Sequence, residues 1–146
     1  MQIEIRIEEN CKEPKLILVT DRMTEEVNLL LQRLSETHTK TLIGFRNETL
    51  VIIKVEDIIR FFSDNQKIYA QTGKDTYTIK TRLYELEDKL DRNTFIRISN
   101  SEIINLNMVK NMDLSFSGTI VVNLQDNIKT YVLRRYVTKI KQILGV

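Results

Sequence analysis

Ile3, Ile5 and Ile7 alternate with Gln2, Glu4 and Arg6, a period of two that predicts a half-buried strand at the start of the chain. Residues 9–14 are polar and hold the only proline, so a turn is expected there, followed by a short buried strand at Leu16-Ile17-Leu18-Val19. The pattern then becomes helical. Thr24 is placed to cap a helix, and Glu25 and Glu26 fall in its first turn, where the helix dipole favours acids. Val27, Leu30, Leu31 and Leu34 repeat at i, i+3, i+4 and i+7, one face of that helix. Leu42-Ile43 starts another strand, so this opening part reads as a small β-β-α-β segment.

From Leu50 onward the period is mostly two. Strands are expected over residues 50–55, 58–62, 67–71 and 76–80, with turns at Asp64-Asn65 and Gly73-Lys74-Asp75. A short helix over residues 82–90 would turn Leu83, Leu86 and Leu90 inward. In residues 95–105, FIRISNSEIIN, two short apolar strands flank the polar loop Ser99-Asn100-Ser101. Further strands are expected over residues 108–116, 119–124 and 128–133, with a turn at Gln125-Asp126-Asn127. A last helix from about Arg135 aligns Leu133, Val137, Ile140 and Leu144. Phe61, Phe62, Tyr69, Tyr77, Phe95 and Phe116 lie at strand spacing and read as core. The fold class is therefore mainly β with α (α+β). The change of period divides the chain into residues 1–47, a segment for packing, dimerisation or regulation, and residues 48–146, the main domain.

A chain of 146 residues with 42% hydrophobic and 29% charged residues can form a real core and suits a cytoplasmic protein. No apolar run approaches the roughly 18–20 residues of a membrane span, and the polar N-terminus is unlike a signal peptide. The single cysteine, Cys11, excludes an internal disulfide. Net charge is +2 but uneven: residues 95–146 hold seven Lys/Arg against three acids, and residues 1–94 hold fifteen against seventeen. A basic C-terminal part is what attraction to phosphates requires.

The residues of catalysis are missing from the pattern. His38 is the only histidine and sits among threonines, without a second His or a Cys to complete a metal site or a triad. Four scattered glycines build no phosphate loop. Glu56 and Asp57 are adjacent, and neighbours on a strand point to opposite faces. Asp21 reads as a turn residue rather than a phosphoacceptor, because too little chain precedes the second segment for a receiver domain. The expectation is a non-enzyme with no metal, cofactor or small-molecule substrate. The loop beside Arg97 instead offers side chains that donate and accept at base edges or phosphate oxygens.

Glu56-Asp57-Ile58-Ile59, the Leu- and Glu-rich stretch TRLYELEDKL (residues 81–90), Phe95 with Arg97, Ser99 to Asn105, and Tyr131 to Tyr136 follow one another in an order that resembles the LytTR DNA-binding domains. Those are bacterial transcription regulators that read DNA with loops on a β scaffold. The resemblance covers roughly residues 50–146. It departs at three places: Ser99 and Asn100 stand for the usual His and Arg of the signature, and Arg134 for a closing serine. The resemblance implies a receiver-less regulator that binds double-stranded DNA, with loops entering successive major grooves at direct-repeat half-sites. It implies three contact loops: Asn65, Gln66 and Lys67; Ser99 and Asn100 beside Arg97; and Arg134 with Arg135. Asn can bond an adenine edge in bidentate fashion, and Arg135 can fork onto guanine or clamp a phosphate. Ser101 and Asn105 are expected to stabilise the loop backbone. By analogy, control would come from a homodimer or from restraint by a small membrane protein encoded nearby. The rival reading is a LytTR-like protein–protein interaction module whose DNA readout has been lost, and steep salt dependence would separate the two.

Overall fold

The computed structural model describes residues 1–35, 38–114 and 118–146. The chain forms two compact units, Met1–Glu36 and Thr37–Val146.

In the first unit the regular element is α1 (Glu25–Ser35). It starts as its sequence dictates, with the Thr24 hydroxyl accepting from the Val27 amide at 3.3 Å and the Thr24 carbonyl from Asn28 at 3.0 Å. The two strands expected before it do not form. Ile3, Ile5 and Ile7 are 86%, 82% and 92% exposed, and Leu16, Ile17 and Val19 are exposed as well. Alternation supplies a strand with a face, but its backbone needs a partner, and none is paired with these residues. Of the expected β-β-α-β order, the helix forms here and the last strand forms over Thr41–Arg46, but the first two strands do not.

The described residues of the second unit form ten strands in two antiparallel sheets. β1 (Thr41–Arg46), β2 (Thr49–Lys54), β3 (Ile58–Asp64), β4 (Lys67–Thr72) and β5 (Thr76–Ile79) precede α2 (Leu83–Lys89). Then come β6 (Phe95–Ser99), β7 (Glu102–Asn105), β8 (Val109–Asp113), β9 (Ile120–Leu124), β10 (Lys129–Val132) and α3 (Arg134–Leu144). The larger sheet has the order β2-β1-β5-β4-β3-β7-β6, and the smaller β10-β9-β8. Short 3₁₀ turns follow β2, β7 and β9; the first, Val55–Asp57, holds Glu56 and Asp57 between the strands expected at residues 50–55 and 58–62. The strand expected over residues 108–116 is realised as β8, and Phe116 lies outside the described residues.

β1 changes where the division falls. It pairs with β2 from Thr41↔Lys54 to Arg46↔Thr49, and its Phe45 pairs with Thr78 of β5. The expected end of the N-terminal segment, residue 47, would cut this hairpin at its turn, so the compact unit begins ahead of β1. Gly44 is required in that strand by space. A Cβ there would stand 2.5 Å from Ile53 Cδ1 and 2.9 Å from Tyr77 Cβ.

The central strands explain why their apolar residues come in pairs rather than alternating. Ile58, Phe61, Phe95 and Ile103 face a core closed by Leu83 and Leu86 of α2 and by Leu90 just after it. Ile59, Ile96, Ile98 and Ile104 point the other way, into a second core with Val122, Leu124, Val132 and Ile140. A sheet buried on both faces needs apolar residues at successive positions. Phe61 and Phe95 meet at 5.7 Å within the first core. Tyr69 is only partly buried and stacks on Phe62 at 5.2 Å, while Tyr77 packs on the edge of the first core.

Candidate nucleic-acid interface

Three connections converge on one side of the second unit. The first is the β3–β4 hairpin, whose two-residue turn places Asn65 at φ 49° and Gln66 at φ 65°. Positive φ at both central residues gives the twist that a two-residue hairpin needs. Asn tolerates it, whereas Gln in that region is uncommon and stores some backbone strain at the tip.

The second is the loop between β6 and β7. The ladder shifts register between Arg97 and Ser99, a bulge that leaves Ile98 unpaired with β7. The Ile98 carbonyl instead accepts from the Leu133 amide at 2.9 Å. That bond fastens the third connection, the junction of β10 and α3, beside the loop. The Tyr136 amide then bonds back to the Leu133 carbonyl at 2.8 Å as α3 begins.

This arrangement brings Asn100 and Arg135 together although 35 residues separate them. Arg135 Nη2 donates to Asn100 Oδ1 at 2.7 Å and to the Tyr136 hydroxyl oxygen at 3.0 Å. The Tyr136 hydroxyl donates to the same Asn100 Oδ1 at 2.9 Å, and the guanidinium stands 5.0 Å from the Tyr136 ring centre. Asn100 and Arg135 are both exposed. With Oδ1 engaged twice, the cluster faces solvent with donors: the Asn100 amide nitrogen and the remaining N–H groups of Arg135. Guanine O6 and N7 or phosphate oxygens suit such a surface directly. Bidentate pairing of Asn100 with adenine would first require Oδ1 to be released.

Arg97 lies beneath the loop. Its Nε donates to the Ser99 carbonyl at 2.7 Å, one Nη to the Asn100 carbonyl at 2.6 Å and the other to Glu87 of α2. Its guanidinium therefore holds the loop backbone and is itself held by a carboxylate. Ser99 is 8% exposed, and its hydroxyl meets the Ser101 hydroxyl at 3.3 Å and the Ser101 amide at 3.2 Å. The loop-backbone bond expected of the Ser101 and Asn105 side chains is made instead by the Ser99 hydroxyl. The Ser101 main-chain carbonyl accepts from the Ser63 amide, and the Asn105 side chain spans to the Ile58 carbonyl outside the loop. Arg134 turns away from Asn100. Its guanidinium lies against Gly118, so close that a Cβ there would approach Nη2 to 2.6 Å.

An open groove of about 1080 Å³ joins the hairpin tip to the loop, lined among others by Asn65, Gln66, Lys67, Arg97 and Asn100. Two contributors were not legible as such in the sequence. Tyr136 matched a family position without a role, and Glu87 lay in a helix rich in acids. Both act through contacts that depend on tertiary placement, which no spacing encodes.

Exposed amide and guanidinium donors on loops of a β scaffold are chemically suited to base edges and phosphate oxygens. Residues 48–145 match the family model of the LytTr DNA-binding domain, and the chain belongs to that family. An uncharacterized HTH-type transcriptional regulator of Staphylococcus aureus (strain NCTC 8325 / PS 47) is 33% identical over 147 aligned residues, covering 100% of this chain and 99% of the relative. Its counterpart in the bovine strain RF122 / ET3-1 is 32% identical with the same coverage. Among solved structures, the LytTr DNA-binding domain of a methyl-accepting/DNA response regulator from Bacillus cereus superposes with a TM-score of 0.71 at 20% identity. It covers 74% of this chain and 99% of that one. The expected LytTR-like α+β scaffold is thus the fold of this protein. Strands separate α1, α2 and α3 throughout, so the described residues contain no helix-turn-helix despite the name the relatives carry. No described helix is long and apolar enough to cross a membrane.

Proposed function

We propose that this protein is a bacterial, cytoplasmic transcription regulator that reads double-stranded DNA through the Asn100–Arg135–Tyr136 cluster and the hairpin tip at Gln66 and Lys67. The observation that carries the reading is the exposed, donor-rich cluster fastened by the Ile98–Leu133 bond. Arg135 reads a base edge or clamps a phosphate, Asn100 supplies the neighbouring donor, and Ser99 and Arg97 set the loop that presents them. Arg134 contributes charge to the adjoining DNA backbone. Two copies would occupy direct-repeat half-sites on one DNA face, about one helical turn apart. Residues 1–36 would provide control, through a homodimer or restraint by a small membrane protein. No catalytic step is assigned to the chain.

The test is a binding titration on the chain's own upstream DNA against a scrambled fragment. The expected result is selective, salt-sensitive binding. In Asn100→Ala/Arg135→Ala the selectivity collapses, because loss of a good base contact costs about 1–3 kcal/mol of discrimination. Equal weak binding of both fragments by the unmodified chain would reject DNA readout and point to a protein partner.

A further inference from the structure

The groove continues past the reading loops. Its far wall is formed where β5 ends and α2 begins, and carries Lys80 and Arg82. With Lys67 and Arg97 these make four cations in the lining against one carboxylate, Asp64, among the described residues. Arg97 is neutralised by Glu87. Lys67, Lys80 and Arg82 are exposed and form no ion pair among the described residues. A concave wall with unneutralised cations concentrates positive potential toward whatever lies in it.

The position of Lys80 is set by β1. Its ammonium stands 5.2 Å from the centre of the Phe45 ring, an arrangement stabilised by the ring's negative face. Phe45 is in turn held by β5, where the Thr78 hydroxyl donates to the Phe45 carbonyl at 3.2 Å. Phe45 lies before the segment matched to the family, residues 48–145, so this seat comes from chain outside that segment.

We infer that this groove is a track for the DNA sugar–phosphate backbone, in which Lys80 and Arg82, continuing from Lys67, neutralise phosphates beside the base edges that Asn100 and Arg135 face. The inference rests on the DNA-reading function proposed above and extends it to a second, sequence-independent surface. The ammonium and guanidinium groups contact non-bridging phosphate oxygens, each displacing condensed counterions from the duplex. Phosphate contacts orient the duplex and carry no base information. The groove should therefore add affinity for any sequence and leave discrimination to the loops.

The deciding experiment uses the full chain and the double variant Lys80→Ala/Arg82→Ala, titrated on the upstream fragment and on a scrambled fragment across a salt series. Circular dichroism checks the fold, which exposed side chains should leave intact. Two lost phosphate contacts should flatten the slope of log K against log salt by about 1.8. Affinity should fall by a similar factor, about tenfold or more, for both fragments, and their ratio should stay constant. The charge-preserving Lys80→Arg/Arg82→Lys should restore the slope. If the unmodified chain binds selectively while the alanine variant keeps its slope, the track is overturned and the DNA-reading function stands. A variant that loses selectivity with its slope intact also overturns it, since the groove would then be reading bases. If the unmodified chain binds neither fragment, both fall together.

Discussion

Asn105, paired with Phe95 at the end of the β6–β7 hairpin away from the Ser99–Ser101 loop, ties β7 to β3. It is 1% exposed, its amide nitrogen donates to the Ile58 carbonyl at 2.8 Å, and its oxygen accepts from the Asn107 amide at 2.9 Å. One residue thus satisfies a buried carbonyl at the start of β3 and caps the 3₁₀ turn after β7. Asn105→Ala should cost about 1–3 kcal/mol of stability, because the Ile58 carbonyl is left buried without its donor. Urea unfolding measures this directly, and a loss below about 0.5 kcal/mol would contradict the role. Arg97 and Arg135 show how two arginines near one loop divide their work. Arg97 spends its donors on Ser99, Asn100 and Glu87, whereas Arg135 commits one nitrogen to Asn100 and Tyr136 and keeps the others outward.

β1 is the element on which the sequence boundary and the structural one part company. Every buried apolar residue of the described chain lies from Leu42 onward. Removal of residues 1–36 should therefore leave cooperative thermal unfolding nearly unchanged. Removal of residues 1–47 deletes β1, strips β2 of its partner and opens the core at Leu42, so the melting temperature should drop by several degrees or the chain should fail to fold. Equal melting of the two truncations would mean that β1 is dispensable. Elements that close a core were legible because their periodicity reports burial: α2 from Leu83, Leu86 and Leu90, and β3 from its Ile58-Ile59 pair. The N-terminal strands misled for the complementary reason. Ile3, Ile5 and Ile7 have the right alternation, but periodicity does not say whether a partner strand exists. The candidate site was legible as three loops, yet not as a contact. The bulge at Ile98 sits inside FIRIS, where the letters continue an ordinary strand, and that bulge couples Leu133 to the loop and brings Arg135 to Asn100. The same limit applied to Arg134 and Arg135, adjacent letters that the start of α3 sends in different directions.

At the scale of the whole second unit, polar bonds tie the two sheets together as well as apolar packing. Arg60 of β3 donates to Gln71 of β4 at 2.7 Å and to Glu102 of β7 at 3.0 Å, and Glu102 accepts from the Thr130 hydroxyl of β10 at 2.6 Å. This chain crosses from the large sheet to the small one next to the reading loop, and Arg97 braces the loop from α2 on its other side. On the DNA-reading function proposed above, a loop tied by these bonds would leave little ordering entropy to be spent on docking. It would then meet correct and incorrect sequences in the same conformation. Discrimination then belongs to how long each complex lasts. Stopped-flow traces should give similar association rates for operator and scrambled DNA, with the difference in dissociation. A slow, sequence-dependent association step would show instead that the loop rearranges on contact. A stiff reader of this kind would sample and abandon wrong sites quickly, and dwell only where the base edges match.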